Sequence, residues 1–463
     1  MAFNNIQYNN YYFLGIGGIG MSALARYFKA KGYFVAGYDR TPSPLTAELE
    51  REGISVSYND VPSSIPEQCT IPSRTLVIWT PAVPQDTTLY LYFEAAGFKI
   101  CKRAGVLGDL SNSGRPLCVA GTHGKTTTST LLAHLLYQSE IGCNAFLGGI
   151  SLNYNTNLLL NSDTNYVVVE ADEYDRSFLH LNPYMAVVTA IDPDHLDVYG
   201  DRQGFQEGFE SFMALVQPSG TLVIKKGIQH NAHLAKDVRE YTYAVGDKEA
   251  DFYADNIVIE NGQIHFDFYT PTESVQNLRL GVPALVNIEN SVAAMAIAWL
   301  NGVTMHEIRS GLSSYSGVYR RFNILINNDK ITYIDDYAHH PTEIAKTIKS
   351  VRALFPNRRI IGVFQPHLYT RTRDFADGFA KELSQLDEVI LLPIYPAREE
   401  PIEGVDSQMI LDKITCENKM VCEKSELLDR IANVSDAVVI TLGAGDIDRL
   451  VPKIASELKK SII

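Results

Sequence analysis

The segment from 121 to 128 combines the residue types of a phosphate-binding loop. It follows an apolar run at 116–120 and precedes leucines at helical spacing, which predicts a strand, a loop and a helix N-terminus. Glycines let backbone N–H groups approach phosphate oxygens, and the helix end adds positive potential. Lys125 is expected to reach the outer phosphates and Thr126 to ligate Mg²⁺. The residues predicted to bind a nucleoside triphosphate are Gly121, Thr122, His123, Gly124, Lys125, Thr126 and Thr127.

The loop departs from the common eight-residue triphosphate pattern, which has glycine where this chain has Val119. An ordinary turn between a strand and a helix is the alternative interpretation. The run Gly124-Lys125-Thr126 in this context favours the phosphate loop. We further expect Lys125 to lie on a solvent-facing loop, so that its loss costs catalysis rather than stability.

A second glycine turn lies near the start of the chain. Gly15, Gly17 and Gly20 follow a predicted strand, and Asp39 comes 19 residues after the last of them, as in a dinucleotide-binding fingerprint. Taken alone, the pattern indicates a binding site for NAD. Because the chain also has a triphosphate loop, this turn is alternatively predicted to hold the diphosphate of a nucleotide-linked substrate. A turn that binds no ligand is the third interpretation.

Two residues at predicted strand ends are candidate metal ligands. Glu170 ends the apolar strand 166–170 and His195 follows the strand 185–191. Folds with a phosphate loop keep a carboxylate at the first of these places for Mg²⁺ or its waters. With Thr126, these residues form the predicted Mg²⁺ site, although a histidine among carboxylates is alternatively a capping or surface residue. No histidine or cysteine spacing predicts zinc.

The C-terminal third carries further ionisable groups at turns between strands and helices. The segment 335–341 holds two aspartates and two histidines, which suit contacts to a nucleotide ribose or a substrate carboxylate, or simply cap a helix. Arg371 and Arg373 suit bidentate binding of a carboxylate or phosphate. Arg320, beside Arg321, could clamp developing phosphate charge, or it lies on a solvated face.

Short apolar strands that alternate with helical stretches predict an α/β protein with parallel sheets. A β-rich elaboration is predicted at 220–280, helices at Met21–Lys31 and Ser291–Leu300, and a linker at 111–116. The predicted strands are 11–14, 34–37, 76–80, 99–102, 116–120, 166–170, 185–191, 332–334, 360–364, 389–392 and 438–442. The predicted domains are 1–113, 114–321 and 322–463.

Composition excludes several classes of protein. The 463 residues are 46% apolar and 20% charged, as in globular proteins of several domains. No apolar run approaches the ~18 residues of a membrane span, and no signal peptide is seen. The six cysteines form no CxxC pair, which fits a reduced cytoplasmic enzyme. The net charge of −14 argues against a nucleic-acid partner.

The motifs, taken in order, resemble those of the Mur ligases of peptidoglycan assembly over nearly the whole chain. The matching segments are 15–22, 121–128, 170–175, 177–181, 194–197, 335–343, 364–367 and 370–374. The resemblance implies three domains: an N-terminal Rossmann-like domain for a UDP-sugar, a central P-loop ATPase-like domain, and a C-terminal Rossmann-like domain. It also implies the alanine-adding reaction, in which ATP and Mg²⁺ activate the lactyl carboxylate of UDP-N-acetylmuramate as an acyl phosphate for attack by L-alanine.

Residue roles follow from the same resemblance. Asn287 and Asp336 are expected to contact the adenosine. A larger set is assigned to UDP-sugar binding: Gly15, Gly17, Gly18, Gly20, Asp39, His339 and Arg371. The set assigned to catalysis is Lys125, Glu170, His195, Arg320, His339 and Arg371. Val286 stands where the family commonly has histidine, and Leu368 where it commonly has arginine. The first departure weakens one expected adenine contact. The second implies that Arg371 or Arg373 binds more of the negative charge of the substrate, or that the contact is remodelled.

Three other functions stay open on the sequence. They are an NAD-dependent oxidoreductase, an ATPase that needs no sugar nucleotide, and the related ligase that recycles murein peptides. The glycine turn at 15–20 and the segment around Arg371 favour the alanine-adding ligase. The sequence does not decide among alanine, serine and glycine, between a monomer and a homodimer, or which base deprotonates the amine.

The first testable prediction concerns the N-terminal glycine turn. Residues 1–113 are expected to bind UDP-N-acetylmuramate and not NAD, because a ligase has no use for a hydride carrier. Calorimetry with each ligand checks this. Heat of binding with NAD and none with UDP-N-acetylmuramate would overturn the interpretation.

Overall fold

The computed structural model describes residues 8–193, 196–397 and 399–460. The chain divides into two compact units. The first holds the chain up to Asp255 together with Phe268–Gln276 and Asn290–Ser314. The second holds Asn256–Asp267, Asn277–Glu289 and the chain from Tyr315 onward. Within the described residues the strands form three sheets, and the expected α/β class with parallel sheet cores is confirmed.

The first sheet has the strand order β3-β2-β1-β4-β5, and its strands are parallel. The strands are β1 (Asn10–Leu14), β2 (Phe34–Tyr38), β3 (Ser55–Ser57), β4 (Thr75–Trp79) and β5 (Lys99–Lys102). The helices are α1 (Ile19–Ala30), α2 (Pro44–Arg51), α3 (Thr88–Ala95) and α4 (Arg103–Asn112). The strand order reverses beside β1, and in such sheets ligands bind outside the carboxyl ends of the strands at that point.

The second sheet has the order β15-β14-β13-β12-β11-β10-β6-β9-β7-β8. Its first elements are β6 (Arg115–Ala120), α5 (Lys125–Tyr137), β7 (Asn144–Ser151), β8 (Thr156–Leu159), β9 (Tyr166–Glu170), β10 (Met185–Val188), α6 (Leu196–Tyr199) and α7 (Arg202–Ala214). Its β-rich part and last helices are β11 (Thr221–Lys225), β12 (Arg239–Val245), β13 (Phe252–Glu260), β14 (Gln263–Tyr269), β15 (Ser274–Arg279), α8 (Leu285–Leu300) and α9 (Met305–Ser314). The strands β10, β6 and β9 are parallel neighbours, which brings their carboxyl ends together at one edge.

The third sheet has the order β16-β17-β21-β18-β19-β20. Its elements are β16 (Asn323–Asn327), β17 (Ile331–Asp336), α10 (Pro341–Leu354), β18 (Arg359–Phe364), α11 (Tyr369–Leu383), β19 (Glu388–Leu391), α12 (Ser407–Leu411), β20 (Asn418–Val421), α13 (Leu427–Ile431), β21 (Ala437–Leu442) and α14 (Val451–Lys460). Only β16 runs antiparallel to its neighbour among these described strands.

Several sequence-based boundaries were wrong. The predicted linker at 111–116 is mostly the end of α4 and the start of β6, with two residues between them. The strand predicted at 185–191 ends at Val188, and the helix predicted from Ser291 begins at Leu285. The turn residues near 111–116 misled the prediction because polar helix ends and strand starts have the composition of loops.

The first two sheets share one hydrophobic core. Buried Tyr11 and Phe28 belong to the same cluster as Phe178 and Phe212. A buried polar contact adds to it, because the Arg26 guanidinium donates to the Asn157 side chain at 2.6 Å. This common core explains why the first sheet and most of the second sheet belong to the first unit. Within the described residues, no helix combines the length and hydropathy needed to cross a bilayer.

Candidate active site

The loop between β6 and α5 has a conformation that only glycine accommodates at two positions. Gly121 and Gly124 have φ values of 135° and 81°. A Cβ atom at Gly121 would lie 2.1 Å from the Thr189 hydroxyl oxygen, and one at Gly124 would lie 2.5 Å from the Asn290 side-chain oxygen. Positive φ and these close approaches both exclude larger residues. The backbone therefore packs tightly here, as a phosphate cradle requires.

The loop is fastened to the chain that follows β10. The Thr189 hydroxyl donates to the His123 carbonyl at 2.5 Å. The Thr122 N–H donates to the Ala190 carbonyl at 3.0 Å, and the Thr122 hydroxyl donates to the Asp192 carbonyl at 2.9 Å. The parallel pairing of β6 with β10 brings these two strand ends together. The loop geometry thus depends on the sheet as well as on its own glycines.

Lys125 is the first residue of α5, and its side chain is largely buried. Its ammonium lies 2.7 Å and 2.8 Å from the two carboxylate oxygens of Glu173. It also donates to the Gly121 carbonyl at 2.8 Å. The side chains of Lys125 and Glu173 are 14% and 2% exposed. The expectation that Lys125 lies on a solvent-facing loop was wrong, since a buried carboxylate holds it against the protein.

Carboxylates determine the charge state of Lys125. Burial by itself would lower the pKa of this amine, but Glu173 and Glu170 outweigh it and raise the pKa. The Tyr199 hydroxyl donates to the Glu173 backbone carbonyl at 2.7 Å, which fixes the carboxylate-bearing segment. Sequence reasoning did not assign a role to Glu173. Its signal was available, because it lies three residues after Glu170 in the acidic run 170–175.

Thr126 and Glu170 come together as expected of two metal ligands. The Thr126 hydroxyl donates to a Glu170 carboxylate oxygen at 3.1 Å. A Cβ atom at Gly148 would lie 2.1 Å from the other Glu170 carboxylate oxygen, so a glycine makes room for this side chain. His195 lies outside the described residues. Among the residues that are described, no group of three or more histidine, cysteine, aspartate and glutamate residues could hold a metal ion.

The N-terminal glycine turn is closed by Asp39. The Gly17 N–H donates to Asp39 Oδ2 at 2.8 Å, and the Thr41 N–H donates to Asp39 Oδ1 at 3.2 Å. A Cβ atom at Gly20 would lie 2.8 Å from the Arg103 guanidinium. Asp39 therefore stabilises the turn itself, and its contact to a ligand stays a prediction. Gly15 and Gly18 lie in the same turn, joined by a backbone bond of 3.2 Å.

Basic residues beside the first sheet contact the acidic run that follows β9. The Arg103 guanidinium lies 3.5 Å from the Asp172 carboxylate, and the Lys102 ammonium lies 3.0 Å from the Asp175 carboxylate. Asp175 and Arg176 both have left-handed backbones, with φ values of 52° and 54°. These contacts bring the glycine turn at 15–20 and the phosphate loop into one unit, although sequence reasoning did not predict them.

The remaining predicted site residues belong to the second unit. Asn287 is buried on α8, where its side-chain amide donates to the Val282 carbonyl at 3.2 Å. Asp336 ends β17, and it accepts hydrogen bonds from the Thr347 hydroxyl at 2.7 Å and the Ala338 N–H at 3.2 Å. Burial raises the pKa of Asp336 to about 6. The predicted contacts of both residues with adenosine are not tested by these bonds.

Arg320 does not lie on a solvated face. Its guanidinium donates to the Asp335 carboxylate at 3.0 Å and to the Gly443 carbonyl at 2.7 Å, and its side chain is 7% exposed. The Asp335 side chain is buried too, and it accepts a bond from Thr441 at 2.6 Å. Arg320 thus fixes the ends of β17 and β21. Its role in clamping phosphate charge stays a prediction.

His339 and Arg371 lie near one another beside a second histidine. The rings of His339 and His367 are 6.2 Å apart, and an Arg371 nitrogen lies 3.5 Å from His367 Nδ1. Burial and the Arg371 charge lower the pKa of His339, against the opposing effect of Glu343. The neighbouring Arg373 is half-exposed and pairs with Asp374 at 2.8 Å. The two arginines therefore have different neighbours, and which of them carries the substrate charge stays a prediction.

Comparison with known proteins agrees with this arrangement. Residues 10–115 match the sequence model of the Mur ligase family catalytic domain, 119–298 match the Mur ligase middle domain, and 320–447 match the Mur ligase glutamate ligase domain. The chain belongs to the Mur ligase family. The resemblance drawn from its motifs is confirmed, and the three matches run in the order of the three sheets.

Individual relatives cover nearly the full length. The UDP-N-acetylmuramate–L-alanine ligase of Parabacteroides distasonis is 55% identical over 97% of both chains. The enzyme of the same name from Phocaeicola vulgatus is 54% identical over 97% of this chain and 98% of its own. The solved UDP-N-acetylmuramate–alanine ligase of Thermotoga maritima has a TM-score of 0.83 at 27% identity, covering 98% of this chain and 99% of its own.

The second prediction concerns the stability of this Mur ligase. Lys125→Ala is expected to lower the free energy of unfolding by ~3–5 kcal/mol, because it leaves the buried Glu173 charge without its partner. The double variant Lys125→Ala/Glu173→Gln should regain most of that loss. Thermal unfolding of the three proteins checks this, and a single variant as stable as the wild type would contradict it.

Proposed function

We propose that this Mur ligase joins L-alanine to the lactyl carboxylate of UDP-N-acetylmuramate in an ATP-dependent reaction of peptidoglycan precursor synthesis. The observation that carries the proposal is near full-length similarity to ligases of that name, one of which is 55% identical. The paired Thr126 and Glu170 and the adjacent Lys125 support an ATP-driven step. ATP is the energy source, and the product is an amide bond.

The proposed domains are 1–113 for the UDP-sugar, 114–321 for ATP, and 322–463 for the amino acid and further substrate contacts. The glycine turn at 15–20 is proposed to take the UDP-sugar diphosphate, with Asp39 holding the turn in shape. Asn287 and Asp336 are proposed to contact the adenosine. His339 and Arg371 are proposed to contact the substrate.

The main physical demand of the reaction is to neutralise negative charge. The lactyl carboxylate attacks the γ-phosphorus of ATP, the bond to the bridging oxygen breaks, and ADP leaves. The L-alanine amine, after losing a proton, attacks the carbonyl carbon of the acyl phosphate, the bond from that carbon to the phosphate oxygen breaks, and phosphate departs. Lys125 is proposed to stabilise charge on the γ-phosphate, and the N–H groups of the 121–128 loop on the β-phosphate.

The donor set beside Lys125 suits Mg²⁺. The Thr126 hydroxyl and the Glu170 carboxylate supply oxygen ligands, which a hard cation requires. Their oxygens lie 3.1 Å apart. These two residues, with His195, are proposed to hold the ion. When bound, Mg²⁺ would neutralise triphosphate charge. Lys125 supplies the fixed positive charge of the protein itself.

The remaining proposals concern the compartment, the partners and the oligomeric state of the enzyme, and the alternative reaction. It is proposed to act in the cytoplasm on small-molecule substrates, as a monomer or a homodimer, with no nucleic-acid or membrane partner. The related murein-peptide recycling reaction has weaker support, because the murein peptide ligase of Psychrobacter arcticus has a TM-score of 0.68 at 22% identity, which is a likeness of fold alone.

The third prediction tests the reaction directly. Phosphate release from ATP is expected to require UDP-N-acetylmuramate and an amino acid together, with L-alanine the best of alanine, serine and glycine. A separate reaction offers the peptide L-alanyl-γ-D-glutamyl-meso-diaminopimelate instead. Faster turnover with that peptide would favour the recycling ligase, and turnover without any sugar nucleotide would favour a simple ATPase.

The fourth prediction concerns Arg371. Truncating one partner of a desolvated charge pair typically costs ~2–5 kcal/mol, so Arg371→Ala should lower kcat/KM for UDP-N-acetylmuramate by roughly 30-fold or more. The KM for ATP should change far less. Arg371→Lys should recover only part of the loss, since an ammonium lacks the bidentate fork.

Arg373 offers a matched control for Arg371. It lies two positions along the same helix, is 51% exposed, and is paired with its neighbour Asp374. Arg373→Ala should therefore leave kcat/KM within about threefold, as surface substitutions usually do. Steady-state kinetics with a folded protein in each case measure both effects. Equal losses in the two variants would contradict a specific role for Arg371.

A further inference from the structure

The ammonium that is proposed to bind the γ-phosphate already has a buried anionic partner. Lys125 Nζ lies within 2.8 Å of both Glu173 carboxylate oxygens, and it also donates to the Gly121 carbonyl. A charge-assisted hydrogen bond of this kind is stronger than one between neutral groups, and the shielding of both groups from water strengthens their attraction. ATP must therefore compete with Glu173 for the same positive charge.

Glu173 cannot easily follow Lys125 or turn towards water. Its side chain is 2% exposed, and its backbone carbonyl accepts a bond from the Tyr199 hydroxyl at 2.7 Å. Beyond Tyr174, Asp175 and Arg176 have left-handed backbones that define the turn. Removing the ammonium would leave this carboxylate buried and unneutralised, which costs free energy.

We propose that Glu173 is a positioning residue for Lys125, which holds the ammonium beside the phosphate loop and lowers the affinity for ATP by competing with the γ-phosphate. This inference rests on the proposed function, because it takes ATP as the ligand of the loop. Binding of ATP exchanges a Lys125–carboxylate pair for a Lys125–phosphate pair, and departure of the nucleotide restores the first pair. The Lys125–Glu173 pair is therefore expected to re-form once the γ-phosphate has left this position.

Glu173→Gln tests the competition. The amide keeps the size and one acceptor oxygen of the side chain but removes its charge. Separating the Lys125 ammonium from this side chain therefore costs less free energy. Calorimetry uses the full-length enzyme with Mg²⁺ and the ATP analogue that has an imido group between the β- and γ-phosphorus. The Kd of the analogue is expected to fall at least fivefold. An unchanged or higher Kd in the folded variant overturns the proposal.

Asp175→Asn is the matched control. Asp175 lies in the same acidic run and loses the same charge on substitution, but its partner is Lys102, at 3.0 Å. Asparagine also tolerates the left-handed backbone of this position. The Kd of the analogue should stay within twofold of the wild-type value. A fall as large as that of Glu173→Gln would mean that any lost charge in the run suffices, which overturns the specific role.

A double-variant cycle separates action through Lys125 from general repulsion. In a Lys125→Met background no ammonium is held, so Glu173→Gln should change the Kd less than twofold. Equal tightening in both backgrounds overturns the positioning role. If Glu173→Gln does not fold, Glu173→Asp replaces it, since withdrawing the carboxylate by one methylene should lower the Kd in the same direction. A wild-type enzyme that does not bind the analogue would instead contradict the proposed function.

Discussion

A buried ion pair between Lys125 and Glu173 links the start of α5 to the chain that follows β9. Neither charge is exposed enough for water to replace its partner, so the two segments are constrained to stay together. The phosphate loop ends where Lys125 is fixed, and Thr126 beside it contacts Glu170. The candidate ATP and Mg²⁺ sites therefore share one local arrangement of charges, supported by the parallel pairing of β6 with β9.

The same acidic run connects the first sheet with the part of the second sheet that lies in the first unit. Asp172 contacts Arg103, which lies against Gly20 of the N-terminal turn, and Asp175 contacts Lys102. A continuous apolar core lies beneath these ion pairs. This packing explains how two sheets can present the glycine turn and the phosphate loop in a single unit. Reaction of a UDP-sugar with ATP needs such proximity.

The second unit carries its charges in a similar way. Arg320 and Asp335 form a buried pair at the end of β17, and Asp336 is buried beside them. His339 and Arg371 lie together near His367, whereas Arg373 pairs with its neighbour. Leu368 has a backbone φ of 69° immediately before α11. The two arginines of α11 therefore have different surroundings.

The sequence by itself determined the properties that depend on neighbouring residues. Apolar runs predicted the strands that end at Leu14 and Glu170, and glycine spacing predicted the turns at 15–20 and 121–128. Those motifs, taken in order, also determined the family, because their chemistry is local and specific. Boundaries such as 111–116 were less accurate, since helix ends, strand starts and loops share polar residues.

Only the tertiary structure decided which charged groups are partners. Lys125 and Glu173 are 48 residues apart, and the sequence placed the lysine in solvent. Arg320 likewise pairs with Asp335. Two consecutive arginines in a sequence usually indicate exposed side chains, so the sequence did not reveal this buried contact. The first contact follows from the parallel pairing of β6 with β9, and the second from the antiparallel pairing of β16 with β17. Each pairing brings residues that are distant in sequence to one edge of a sheet. Because that edge is buried, charged residues of types that are ordinarily exposed form ion pairs that are shielded from water.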